Sequence, residues 1–161
     1  MKCGSIALRN RAWSNACALC VAFTFAFYSA AIGSENSVIV IGDDRGGVLQ
    51  DRLAEISGIR TRSDLVEIRA SVCFSACTLY LSLERVCVSR STQFGFHDPI
   101  ADPRSGLVLL AGQRAFWREQ MLSSYPSSLR RILKRRSTER ARNMLVMSGA
   151  ELIALGFAEC G

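Results

Sequence analysis

In "ASVCFSACTLYL", residues 70–81, a serine stands between two cysteines, and about twenty residues later "FGFHDP" carries the chain's single histidine. A serine hydroxyl is a weak nucleophile until a neighbouring base takes its proton, and an imidazole is the usual base. The pair Ser75 and His97 is therefore a candidate for acyl transfer. Such a site also needs main-chain N–H groups aimed at the oxyanion that forms on the attacked carbonyl. If a strand ending near Val72 turns into a helix beginning near Ala76, the Ala76 N–H points at that oxygen, helped by the helix N-terminal dipole. The glycine turn in "GDDRGG" offers a second donor at Gly47, because glycine lets backbone approach a substrate closely.

The same residues admit plainer roles. A serine at a helix start is commonly an N-cap, and a lone histidine before Pro99 can simply fix a turn. Cys73, Cys77, Cys87 and His97 together would make a tetrahedral zinc set, but their spacing matches no zinc module, and an oxidising compartment favours disulfides over thiolate ligands. No metal or other cofactor is expected. Four cysteines, Cys73, Cys77, Cys87 and Cys160, allow two disulfides in three pairings. The expected arrangement joins Cys73 or Cys77 to Cys87 across neighbouring elements, with Cys160 tying down the C-terminus.

The elements that must position these groups follow from periodicity. "SVIVI", Ser37 to Ile41, is a short apolar run ending in a glycine turn, the form of a buried strand. Leu49, Leu53 and Ile56 recur at i, i+4 and i+7, marking one face of a helix that Gly58 is expected to stop. "DLVEIRA" alternates, with Val66, Ile68 and Ala70 on one side, as a strand does. "SACTLYLSL" places Ala76, Leu79, Tyr80 and Leu83 at helical spacing, and "RVCVS" and "TQFGFH" are further short strands. Strand, helix, strand, helix, strand is the order of an α/β fold with a short parallel sheet and crossover helices. From Leu107 the pattern becomes helical: "GLVLLAGQRAFWREQML" is amphipathic, Pro126 interrupts it, and "SLRRILKRRSTERARNML" continues as a basic helix. Ser148 with Glu151 forms a capping box for a last helix, and Gly156 stops it.

The chain has 161 residues, 20 basic and 14 acidic. Its first part, residues 1–31, reads as a signal peptide: Lys2, Arg9 and Arg11, then the apolar "ACALCVAFTFAF" from Ala16 to Phe27, then small residues at Ser29, Ala30 and Ala31. An uncleaved anchor is the alternative, although the apolar part is shorter than the ~20 residues a span needs. Either way residues 36–161 form one α/β domain outside the cytoplasm, periplasmic or secreted. Cleavage removes Cys3, Cys17 and Cys20 and leaves 17 basic against 14 acidic residues, a net +3. That excess is too small to point to nucleic acid. Arg130 to Arg142 holds seven basic residues and one acid, Glu139. A solvated helix face explains the run, and contact with an anionic membrane surface is the alternative.

The segments "DDRGGVLQDRLAEI", "ASVCFSACTLYL", "RVCVSRSTQFGFHDP" and "MSGAELIALGFAE" resemble, in content and order, those of the Clp peptidase subunit within the crotonase-like superfamily. The nearest likeness is to secreted bacterial relatives carrying a Cys-x-Ser-Ala-Cys segment. The resemblance covers most of residues 38–160. It implies a peptide or protein substrate, Ser75 as nucleophile, His97 as general base, and the Gly47 and Ala76 amides as oxyanion hole. It also marks departures. The family's orienting aspartate falls on Arg140, or on Ser137 with a small gap, and neither is an acid; Glu139 is a near miss, so the third member of the triad is unassigned. Loss of such a member can cost about ten-thousand-fold in turnover. The family's first strand-helix unit is absent, which leaves ring assembly and oligomeric state open. Related secreted peptidases use a serine-lysine pair, for which Lys134 is the only lysine after the signal. The intact serine, histidine and glycine turn favour a secreted serine hydrolase, a peptidase by the resemblance; the missing acid favours the alternative, a catalytically silent domain of the same architecture with a binding or structural role in the cell envelope.

Overall fold

A computed structural model of the protein describes residues 37–101, 110–137 and 144–161. The expected signal or anchor (residues 1–31), the beginning of the "GLVLLAG" segment and the basic run from 138 to 142 lie outside the described residues. Among the described residues no helix is long and apolar enough to cross a membrane.

Strand β1, Val38–Ile41, runs into the "GDDRGG" turn, and helix α1, Leu49–Arg62, returns the chain to β2, Leu65–Ile68, which pairs parallel with β1. Ile56 and Ile59 of α1 and Val66 and Ile68 of β2 are all buried. Each such side chain contributes about 1.5–3 kcal/mol on leaving water. Gly58 does not stop α1; the helix continues four residues further and ends where Ser63 takes a left-handed φ of 58°. One glycine costs an interior turn only about 1 kcal/mol, and the anchoring of Ile59 beside it outweighs that.

The alternating "DLVEIRA" segment and the strand leading to the serine are separate elements in separate sheets. Strand β3, Val72–Phe74, begins after a break at residues 69–71, and a 3-10 helix, Ser75–Ser82, follows it. The break is stabilised by polar contacts: buried Thr92 donates to the Ala70 carbonyl at 2.5 Å, and the Ser71 amide donates to Asp43 Oδ1 at 2.6 Å. Strands β4, Val86–Val88, and β5, Gln93–Phe96, come next. One sheet has the order β1-β2-β4-β7 and is parallel throughout. The second has the order β3-β5-β6, with β3 and β5 parallel and β6 antiparallel. The chain is thus α/β as expected, but with two sheets rather than one.

The C-terminal part is not wholly helical. Helices α2, Ala111–Ser124, and α3, Ser127–Ser137, flank Pro126 as its ring requires. After them "LVMS" forms β6, Leu145–Ser148, and Ala158–Glu159 form β7. Between these two strands lies α4, Gly149–Ala154, opened by the Ser148–Glu151 capping box. Gly156 beyond it has a φ of 101°. Helix α3 turns Leu129 and Leu133 inward and Arg131, Lys134 and Arg135 outward.

The disulfides differ from the expected pairing. Cys73 bonds to Cys77, four residues away, and Cys87 bonds to Cys160 across a separation of 73. Cys73 on β3 and Cys77 one turn into the 3-10 helix lie on the same side of the corner, whereas Cys87 on β4 lies against β7 in the other sheet. Cys160 therefore does tie the C-terminus to the sheet. The thiols of the zinc set are consumed in these bonds. Two disulfides are consistent with a location outside the cytoplasm.

Candidate functional site

Parallel strands end on the same side of a sheet, and the crevice beyond their carboxyl ends is where open α/β folds place ligands. Ser75 follows β3 and His97 follows β5, and these strands are neighbours in register, Phe74 opposite Gly95. Ser75 is the first residue after β3 and His97 the first after β5, so both leave the carboxyl ends of neighbouring parallel strands. The turn after β1 joins the same edge through a parallel bridge from Asp44 to Cys73. Asp44 accepts the Phe74 amide at 2.8 Å and donates its own to the Val72 carbonyl at 3.0 Å. The three segments expected to share a site therefore leave adjacent strand ends.

The serine sits in a strained corner. Its φ is 55°, a left-handed conformation that a residue with a Cβ rarely adopts and that costs about 1–3 kcal/mol. It is not a helix N-cap; Phe74 holds that position, in extended conformation. The surroundings fix the strain from three sides. The Cys73–Cys77 disulfide spans the corner, and both cysteines are fully buried. Thr78 Oγ1 donates to the Ser75 carbonyl at 2.7 Å and shares a 2.6 Å hydrogen bond with the Tyr125 hydroxyl. On the open side Gly46 packs directly on the serine: a Cβ built at Gly46 would lie 2.6 Å from Ser75 Cβ and 3.0 Å from its Oγ. Ser75 itself is half-buried.

Of the glycine pair, then, Gly46 touches the serine, and Gly47 has open space where its side chain would be. The two amides also differ. The Gly46 N–H donates to Asp44 Oδ1 at 2.7 Å, while Gly47 N–H has no partner among the described residues. Ala76 lies in the first turn of a 3-10 helix, where the N–H has no acceptor within the helix. Neither amide is taken up by a hydrogen-bond partner among the described residues.

Asp44 is a residue the sequence reading passed over. Its Oδ1 closes the turn and its Oδ2 accepts from Arg52 of α1 at 2.6 Å. Arg52 in turn lies over the Tyr80 ring, 4.6 Å from its centroid, and donates to the Tyr80 hydroxyl and to Glu55. Tyr80 donates to Glu55 at 2.6 Å, and burial, reinforced by that carboxylate, raises its pKa. Burial likewise raises that of Tyr125, against the opposing effect of Thr78. The legible signal was an aspartate two residues before a glycine, the spacing of a side chain that bonds backbone two residues on.

His97 is half-buried, and its Nδ1 lies 2.7 Å from the Asp98 carbonyl oxygen. The Asp98 carboxylate is 2.9 Å from Arg118 Nε of α2. Lys134 pairs with Glu119 at 3.3 Å on the outer surface of α2 and α3. Ser137 is the last residue of α3, and Glu139 and Arg140 lie outside the described residues.

Neither protein-family models nor curated proteins match the chain. The functional reading accordingly rests on the geometry above and on the order of the motifs.

Proposed function

We propose that the chain is an extracytoplasmic serine hydrolase of Clp peptidase-like, crotonase-type architecture, cleaving peptide bonds through an acyl-enzyme on Ser75. The observation that carries this reading is the left-handed φ of Ser75 at a strand-to-helix corner against Gly46. Strain of that kind persists only where the surroundings impose it, and a sharp, strained corner is the usual way to project a nucleophilic hydroxyl out of a sheet.

In the proposed reaction Ser75 Oγ attacks the substrate carbonyl while His97 Nε2 takes the hydroxyl proton. The Gly47 and Ala76 N–H groups receive the negative charge as it develops on the carbonyl oxygen. His97 then returns the proton to the leaving amine, the C–N bond breaks, and water releases the acyl group by the same steps in reverse order of roles. The parallel sheet β1-β2-β4-β7 with its α1 crossover supports an α/β fold of this kind, and the order of the four resembling segments supports the finer assignment.

A silent domain of the same architecture is the second reading, favoured by one observation: the acceptor on His97 Nδ1 is a main-chain carbonyl and not a carboxylate. A fluorophosphonate probe separates the two. The hydrolase reading expects labelling of the purified, oxidised protein that Ser75→Ala abolishes. Folded protein that takes no label would overturn it.

A further inference from the structure

A serine hydrolase needs its histidine in one tautomer, with the proton on the nitrogen remote from the serine, and a buried carboxylate ordinarily enforces this. No such carboxylate was identifiable from the sequence. In its place the ring nitrogen Nδ1 lies 2.7 Å from the carbonyl oxygen of the next residue, Asp98. A carbonyl can only accept, so in the neutral ring this contact requires the proton on Nδ1 and leaves the lone pair on Nε2. That is the tautomer a general base needs.

Two further features hold the carbonyl in place. Pro99 follows Asp98, and the clash of its ring with the preceding residue restricts Asp98 to extended backbone, which limits the direction of its C=O. The Asp98 carboxylate is tied to Arg118 of α2 at 2.9 Å, with the two side chains 31% and 33% exposed, so the loop is moored to a helix and not merely to solvent.

We infer that the Asp98 carbonyl orients His97 in the role a triad carboxylate plays elsewhere, and that Arg118 and Pro99 are positioning residues for it. The catalytic consequence rests on the hydrolase reading; the orientation of the ring does not. A carbonyl carries only a partial charge and stabilises an imidazolium less than a carboxylate does, so this device supports a slower enzyme than an acid-bearing triad.

His97 is the only histidine in the chain, so a long-range proton-nitrogen correlation spectrum of the nitrogen-15-labelled protein reports its tautomer without ambiguity. The expected result is a ring protonated at Nδ1 in the neutral form; protonation at Nε2 would overturn the inference. Arg118→Ala and Asp98→Ala are each expected to shift the ring toward the other tautomer and slow fluorophosphonate labelling on the order of tenfold, well short of the loss from a reversed tautomer. Combining them should slow labelling no further than either alone, because both cut the same tether. Arg118→Lys, which keeps a cation facing the carboxylate, should recover most of the rate. Unchanged tautomer and rate in both alanine variants would remove Arg118 from the role. Because Asp98→Ala keeps the backbone carbonyl and removes only a partly exposed side chain, it tests the tether if Arg118→Ala fails to fold. An Nδ1-protonated ring in a protein that takes no fluorophosphonate would uphold the orientation and defeat the hydrolase reading instead.

Discussion

The two halves of the candidate site are held in different ways. The serine corner is locked through the core: a buried disulfide, a buried Thr78–Tyr125 contact and a glycine pressed on the serine leave it one conformation. The histidine end is moored at the surface by one carbonyl contact and one part-exposed ion pair. Buried contacts of the first kind resist solvent competition, whereas an exposed pair is worth only about 0–1 kcal/mol. Ser75 is therefore pre-organised by folding itself, and His97 by a tether that a single substitution can shift.

The largest expected effect comes from breaking the locked half. Gly46→Ala places a methyl group 2.6 Å from Ser75 Cβ and 3.0 Å from the Phe74 carbonyl, at a backbone φ of 100°. Neither neighbour is a flexible side-chain end that can swing aside, so the serine or the turn must move. The variant is expected to lose about 2–3 kcal/mol of stability. Its labelling by a fluorophosphonate should fall about a hundredfold or more, since 2.7 kcal/mol of lost positioning is two decades of rate. Urea denaturation and labelling kinetics on the same sample check both numbers, and labelling at the parent rate would show that Gly46 does not set the position of the hydroxyl.

The two disulfides sharpen the comparison because their effects should cross. In the chain-entropy account, a bridge spanning four residues contributes about 2 kcal/mol and one spanning 73 residues about 4 kcal/mol. Cys87→Ala with Cys160→Ala should therefore lower stability more than Cys73→Ala with Cys77→Ala. Labelling should respond in the opposite order: roughly tenfold slower without the local bridge, which braces the strained corner, and near the parent rate without the distant one. Thermal denaturation with parallel labelling reads out both. If both pairs slow labelling equally, the local bridge is a general staple and has no particular hold on Ser75.

Much of this architecture is legible in the sequence because it comes from side-chain periodicity. The alternation of Val66, Ile68 and Ala70 and the capping box at Ser148 are local signals, and the structure bears them out. The break between β2 and β3 is not local. It depends on Thr92 and Asp43, each more than twenty residues away, capturing backbone groups at residues 70–71. Strand β6 was hidden for the same reason: "LVMS" follows a run whose residue pattern reads as a basic helix, and it is a strand through its pairing with β5. The disulfide pairing escaped because Cys73 and Cys77 meet across the corner between β3 and the 3-10 helix, whose turn the sequence does not specify. At the site, residue types were readable and their mooring was not. Asp44 carries a readable turn spacing, an aspartate two residues before a glycine, but its link to Arg52 does not show in the sequence, and Asp98 acts through a main-chain carbonyl, which has no residue pattern.

The smallest expected effect tests whether the base has been correctly assigned. Some serine hydrolases pair serine with lysine, and Lys134 is the only lysine beyond Lys2. Its ammonium faces Glu119 at 3.3 Å, and the two side chains are 52% and 62% exposed. A catalytic lysine must lose its proton near neutral pH, which requires burial or a neighbouring cation to disfavour its charge. Lys134, half exposed on the outer face of α3, lacks the burial such a role needs. Lys134→Ala is accordingly expected to change stability by less than about 0.5 kcal/mol and to leave fluorophosphonate labelling within twofold of the parent. His97→Ala should remove labelling in the same assay. Were the lysine variant silent and the histidine variant active, the base would lie on α3, and the division between a locked nucleophile and a tethered histidine would no longer describe the site.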